Sequence, residues 1–241
     1  GLVQPLSPEQ LTGPSYASEW PIAQVLSHLG SQAEIFDLVL DAGLTGQEPP
    51  GREQFEPIWA SWNHRTPPEQ AADGLRADRE TLERFESLSE EERDSLHVHV
   101  FGAERDAGGL ARMRVSEHAL HTWDVAVVLD PAATVAPDAV DLLVDTMPQV
   151  TGRASKPDGT SRQVTIDTSQ PERRFTLETT ADAVTLEPAS PAERNTTDAR
   201  IRLPAEALIR LVYGRLDPAH TPQVDVLGAD LDELRRIFPG F

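Results

Sequence analysis

The 241-residue chain contains no cysteine. Disulfides and thiolate metal ligands are therefore excluded. A metal site has to be built from histidine and carboxylates, and thiol chemistry needs a sulfur brought in from outside the chain. Positive charge is scarce as well: 21 Lys and Arg stand against 40 Asp and Glu, for a formal net charge of −19. Nucleic acid and anionic membrane surfaces both call for a basic face, so neither is expected as a partner. Lys156 is the single lysine, in a Ser-Lys-Pro-Asp-Gly loop, and nothing around it supports Schiff-base chemistry. No apolar run approaches the roughly 20 residues of a membrane span, and no basic-then-apolar leader is visible, so a cytoplasmic location is the expectation. The length suffices for one large domain or two small ones with a real core.

Against that background, Glu117 and His121 carry the most information. They lie four residues apart in the run from Arg114 to Ala126. A helix advances roughly 100° per residue, so the two side chains stand one above the other on one face. A carboxylate oxygen and an imidazole nitrogen placed this way suit a divalent ion such as Zn²⁺. An isolated Glu-x-x-x-His is equally compatible with a solvated polar pair.

A third candidate ligand, His28, lies in a second helical segment. Ser18 is the expected N-cap there, Glu19 falls in the first turn, and Pro21 occupies a position where a missing N–H costs nothing. Ile22, Val25, Leu26, Leu29, Ala33, Phe36 and Leu40 then recur at helical spacing. His28 sits at the edge of that stripe. In the other segment Met113, Ala119, Leu120, Trp123 and Val127 form the apolar side, with Glu117 and His121 flanking it. Residues flanking two such stripes can meet at the rim of a bundle, where metals and small ligands are held. The alternative for His28 is an ordinary boundary histidine.

From Trp20 to about Val150 the pattern is helical. A Gly/Pro-rich loop is expected from Gly43 to Pro57, and a long helix from Glu69 to Leu88 opened by Pro67, with apolar positions at Leu75, Leu82 and Phe85. His97-Val-His-Val-Phe101 alternates like a short strand or extended linker, with both histidines on one solvated face. After the Glu117 segment, Pro137 begins a further helix to about Val150. Together these helices read as a four-helix bundle occupying residues 1–152. The aperiodic stretch from Thr151 to Arg162 reads as a linker.

Beyond the linker the period becomes two. Strands are expected at Gln163–Asp167, Arg174–Glu178, Ala183–Glu187, Ala199–Leu203 and Gln223–Leu227, with helices from Pro204 to Gly214 and from Asp230 to Ile237. The fold class is thus α+β: an N-terminal bundle, then a smaller α+β domain over residues 160–241.

The two ligand-bearing segments resemble the mycothiol-dependent maleylpyruvate isomerase family, a branch of the DinB-like metalloenzymes. In that family a tryptophan opens a helix carrying a His-Leu ligand, here Trp20 leading to His28 and Leu29. A later helix carries Glu-x-x-x-His-x-Trp-Asp, here Glu117, His121, Trp123 and Asp124. Leu211–Arg215 and Leu234–Phe241 resemble family segments too, so the likeness runs in order along nearly the whole chain. One departure is the Pro- and Gly-containing lead before Trp20, where members usually have a helix; it leaves the length of the first bundle helix open.

The resemblance implies a DinB-like bundle and a metal held by His28, Glu117 and His121. Two nitrogens and one carboxylate are the ligand set of a catalytic zinc, which keeps a position open for water or substrate. In the family that position is thought to receive the thiol of mycothiol, and a cation there would lower the thiol pKa. The implied reaction is cis–trans isomerisation of a small electrophile, or S-transfer to it. Arg215 matches a family arginine that faces the metal across the domain cleft, where a guanidinium suits a substrate carboxylate. Its alternative is a helix-end cation that offsets the macrodipole. Asp124 is either an acceptor for a ligating imidazole N–H or a surface carboxylate. Trp20 and Trp123 are expected in core packing. The competing function class is a non-catalytic small-molecule binding protein whose metal is structural or vestigial.

Overall fold

A computed structural model of the chain describes residues 2–17, 19–100, 102–189 and 199–240. It divides into two compact units, Gly1–Ala133 and Thr134–Phe241.

The first unit is helical. Its elements are α1 (Pro8–Leu11), α2 (Ile22–Thr45), α3 (Arg52–Asn63), α4 (Pro67–Glu86), α5 (Glu90–Ser95) and α6 (Ala107–Leu129), with a hairpin of β1 (His97–Val100) and β2 (Ala103–Asp106) leading into α6. Helix α2 is the central member and packs against α3, α4 and α6. Its predicted stripe is realised: Ile22, Val25, Leu26, Leu29, Ala33, Phe36 and Leu40 are all buried. Pro21 is its N-cap and Gly46, in the left-handed region, its C-cap. Ser18, the expected cap, lies outside the described residues. At the start of α4 the Glu69 carboxylate accepts from the Thr66 backbone N–H at 2.7 Å. Of the predicted α4 positions, Leu82 stays exposed.

The expected loop from Gly43 to Pro57 is a correction. Helix α2 runs through Thr45, and α3 begins at Arg52 with Pro57 inside it. Gly51 is its cap, and its N–H donates to the Gln54 side chain at 3.0 Å. Pro57 lies in the second turn, where it removes a single backbone bond, while burial of Phe55 and Trp62 holds the helix in place. Helix α3 therefore supplies a bundle helix that the Gly and Pro content of the sequence concealed.

β1 and β2 pair antiparallel, with His97 opposite Asp106 and His99 opposite Glu104. Both histidines are exposed, as alternation predicts; Phe101 lies outside the described residues.

In the second unit the helix expected from Pro137 is broken into α7 (Pro137–Leu143), a single 3₁₀ turn, and α8 (Met147–Ala154). These residues group with the sheet rather than with the first unit, whereas spacing had placed residues through 152 in the bundle. The reason is packing: α8 lies against β5 and both pieces contact α9. The remaining elements are β3 (Arg162–Ser169), β4 (Arg173–Thr179), β5 (Val184–Pro188), β6 (Arg200–Pro204), α9 (Ala205–Val212), β7 (Asp225–Leu227) and α10 (Leu231–Ile237), close to the predicted positions. The sheet order is β5-β4-β3-β6-β7, antiparallel except for the β3–β6 pair. Alternation along β4 sends Phe175 and Leu177 inward. The architecture is α+β, a helical domain followed by a sheet-containing one.

Candidate metal centre

Helices α2 and α6 bring the three predicted ligands together. His28 Nε2 lies 3.1 Å from Glu117 Oε2, and His121 Nε2 lies 3.8 Å from the same oxygen. One ligand atom from each residue falls within 4.8 Å of the others. Among the described residues this is the group of three or more His, Asp and Glu side chains that can hold a metal. His97 and His99 belong to no such group; His99 Nδ1 instead meets Glu104 at 3.1 Å.

These spacings fit an ion. Four tetrahedral bonds of about 2.0–2.1 Å place neighbouring ligand atoms roughly 3.3 Å apart, which the observed separations bracket. The donors are half-buried, so the site is neither sealed nor freely solvated.

Orientation comes from the residues behind the ligands. His121 Nδ1 sits 2.9 Å from Asp124 Oδ2, one turn along α6, and Asp124 is fully buried. With Nδ1 donating to that carboxylate, Nε2 keeps its lone pair toward Glu117 and a metal. Asp124 is thus an acceptor for the imidazole and not a surface group. Trp20 packs, half-buried, against the core cluster that holds Ile22, Val25 and Leu26, and its ring also lies 5.0 Å from His28 and 5.9 Å from His121, centroid to centroid. Trp123 packs as core, with its Nε1 donating to the Ala133 carbonyl at 2.9 Å.

A neighbouring polar cluster was not anticipated. Arg114, one turn before Glu117, donates from Nη2 to the Leu29 carbonyl at 3.1 Å and to Asp78 Oδ1 at 3.0 Å. It thereby ties α6 to both α2 and α4. His118 Nε2 lies 2.7 Å from the same Asp78 oxygen. Burial acts to raise the Asp78 carboxyl, but His118 and Arg114 outweigh it and hold the group below the usual carboxylate range. Burial in turn lowers the Arg114 guanidinium, against the opposing pull of Asp78. The spacing of Arg114, His118 and His121 at i, i+4 and i+7 was open to inspection in the sequence; the partner Asp78, 36 residues earlier, was not.

Arg215 belongs to the second unit, just past Gly214 at the end of α9. Its Nη1 donates to the Tyr213 carbonyl at 3.1 Å. The buried Arg210, paired with Glu206, donates to the His220 carbonyl at 2.8 Å and so fastens the turn that carries Arg215.

Comparison with known proteins matches residues 1–126 to the family model described as mycothiol maleylpyruvate isomerase N-terminal domain, and residues 134–234 to that of the MDMPI C-terminal domain. A search of curated proteins returns no match. Among solved structures, the chain is similar to the crystal structure of a mycothiol-dependent maleylpyruvate isomerase, with a TM-score of 0.63 at 16% identity over 89% of this chain and 82% of that one. A histidine-to-alanine mutant of the same name matches with a TM-score of 0.63 at 15% identity and the same coverage. At such identity the structural likeness concerns the fold.

Proposed function

The chain belongs to the mycothiol maleylpyruvate isomerase family, and on that premise we propose that it is a metal-dependent enzyme. It uses a low-molecular-weight thiol, mycothiol by the family's name, for cis–trans isomerisation of a small electrophile or for S-transfer to it. The observation that carries this reading is the convergence of His28, Glu117 and His121 in a chain with no cysteine of its own.

His28, Glu117 and His121 would hold the ion, with zinc the best match to two imidazoles and a carboxylate. A bound divalent cation supplies the positive charge that lowers a thiol's pKa and makes thiolate available near neutral pH. Asp124 keeps the His121 ring in the ligating tautomer. For isomerisation, the thiolate sulfur bonds to one carbon of an electron-poor cis double bond, and the π pair moves into the adjoining carbonyl. Rotation about the resulting single bond follows. Return of the pair breaks the C–S bond, restores the thiolate and leaves the trans alkene. For S-transfer, the C–S bond persists and a leaving group departs with its pair. Arg215 is assigned the recognition of an anionic group on the substrate, a role suited to a fork of N–H donors in a chain with few cations.

The test is metal analysis of protein purified without chelator, followed by turnover of electrophiles with and without mycothiol. Stoichiometric metal with thiol-dependent turnover supports the enzyme. Stoichiometric metal without turnover on any electrophile supports the binding-protein alternative.

A further inference from the structure

A cavity of about 180 Å³ opens beside the metal centre, between α2, α4 and α6. His121 belongs to both: its side chain is in the ligand group and also lines the cavity. The remaining wall is largely hydrocarbon, from Val3, Val25, Leu26, Leu29, Leu75 and Val125. An internal cavity of roughly 150 Å³ with aliphatic walls accepts benzene, so this one has room for a compact group of about six carbons.

Its polar lining consists of one carboxylate, Asp78, the imidazoles of His118 and His121, and Thr122. Asp78 Oδ1 meets His118 at 2.7 Å and Arg114 at 3.0 Å, and His121 Nδ1 faces Asp124 at 2.9 Å. A carboxylate entering the cavity would lose its hydration and come beside the Asp78 carboxylate, with no lysine or arginine among the lining residues to pair with it. A hydrocarbon group loses nothing comparable and gains from burial.

We propose that this cavity is a binding subsite for a neutral, compact hydrocarbon group, such as a phenyl or cyclohexyl ring, carried by the substrate beside the metal centre. The ring-binding itself stands on the cavity alone; its use by the substrate rests on the function proposed above. The substrate class that follows is an electrophile with an apolar tail, in contrast to small molecules charged at both ends.

Methyl NMR of the full chain, with benzene and maleate as probes, tests the subsite. Benzene is expected to shift the methyl resonances of Val25, Leu29 and Val125 saturably, and maleate to leave them unmoved. Thr122, exposed at the rim, offers a fold-neutral block: Thr122→Trp should weaken benzene binding at least tenfold. Should that variant fail to fold, Leu75→Phe at the same cavity is read identically. Absence of a saturable benzene shift, equal binding of maleate, or undiminished binding in the folded blocking variant overturns the subsite. Turnover with mycothiol of two electrophiles, alike except for a phenyl or a methyl tail, then tests its use. A preference for phenyl of tenfold or more in kcat/KM is expected, and equal values detach the cavity from the substrate. Loss of all turnover with benzene binding intact removes the enzyme reading and leaves the subsite standing.

Discussion

Asp124 Oδ2 lies 2.9 Å from His121 Nδ1, and the carboxylate that makes this contact is wholly shielded from solvent. The pair fixes which nitrogen of His121 is free to ligate. Removing such an outer partner typically costs about 10–100-fold in metal affinity. Asp124→Asn is therefore expected to weaken zinc binding by about that factor while the helical circular dichroism is retained. Competition against a chromophoric chelator measures it, and unchanged affinity would make the contact incidental.

His121→Ala is expected to abolish metal binding and thiol-dependent activity without unfolding the chain. The apolar faces of α2, α4 and α6 supply the bundle's cohesion independently of any ion. Metal analysis and circular dichroism together check both halves. Loss of helicity on removing metal from the wild type would instead mark a structural site.

Arg215→Ala is expected to lower kcat/KM on the order of a hundredfold, the usual scale for removing a bidentate partner of an anionic group. Affinity for metal and for mycothiol should stay near wild type. Unaltered steady-state kinetics would reduce Arg215 to a cation at the end of α9.

Gly30→Ala should destabilise the bundle. A Cβ at Gly30 would come within 2.2 Å of the Trp62 ring, and Trp62 is fully buried with Arg65 stacked 3.6 Å from its ring centroid. Overpacking of this kind costs roughly 1–3 kcal/mol, more than the helix propensity that alanine restores. Chemical denaturation gives the number directly.

The second unit carries an acid-sensitive contact. Asp167 accepts from Arg174 Nε at 2.7 Å and is also bonded by Arg200. Burial acts to raise its carboxyl, but the two arginines prevail and hold it below the usual range. A carboxyl whose folded pKa is depressed contributes stability that is full above its unfolded pKa and is lost as pH falls through the folded one. Thermal stability is thus expected to drop on acidification below the ordinary aspartate range, with a shallower decline in Asp167→Asn. Parallel pH profiles for the two proteins would contradict this.

The convergence of His28, Glu117 and His121 was legible because each lies on a long helix, where spacing determines which side chains share a face. The strands of the second unit were legible for the matching reason, a period of two bounded by turn residues. Helix α3 was hidden because Gly51 and Pro57 read locally as loop, while burial of Phe55 and Trp62 is a tertiary effect. The break between α7 and α8 and their packing on the sheet unit were equally non-local. So were the Asp78 contacts with Arg114 and His118, which depend on the approach of α4 to α6 and leave no trace in either segment alone.

The central claim is that His28, Glu117 and His121 hold one divalent ion that receives an external thiol, and cobalt substitution tests it most directly. The account predicts one Co²⁺ per chain and a new near-ultraviolet sulfur-to-cobalt charge-transfer band on adding mycothiol, both absent in His121→Ala. Failure to bind cobalt stoichiometrically, or a cobalt-loaded protein whose spectrum mycothiol leaves unchanged, would contradict it.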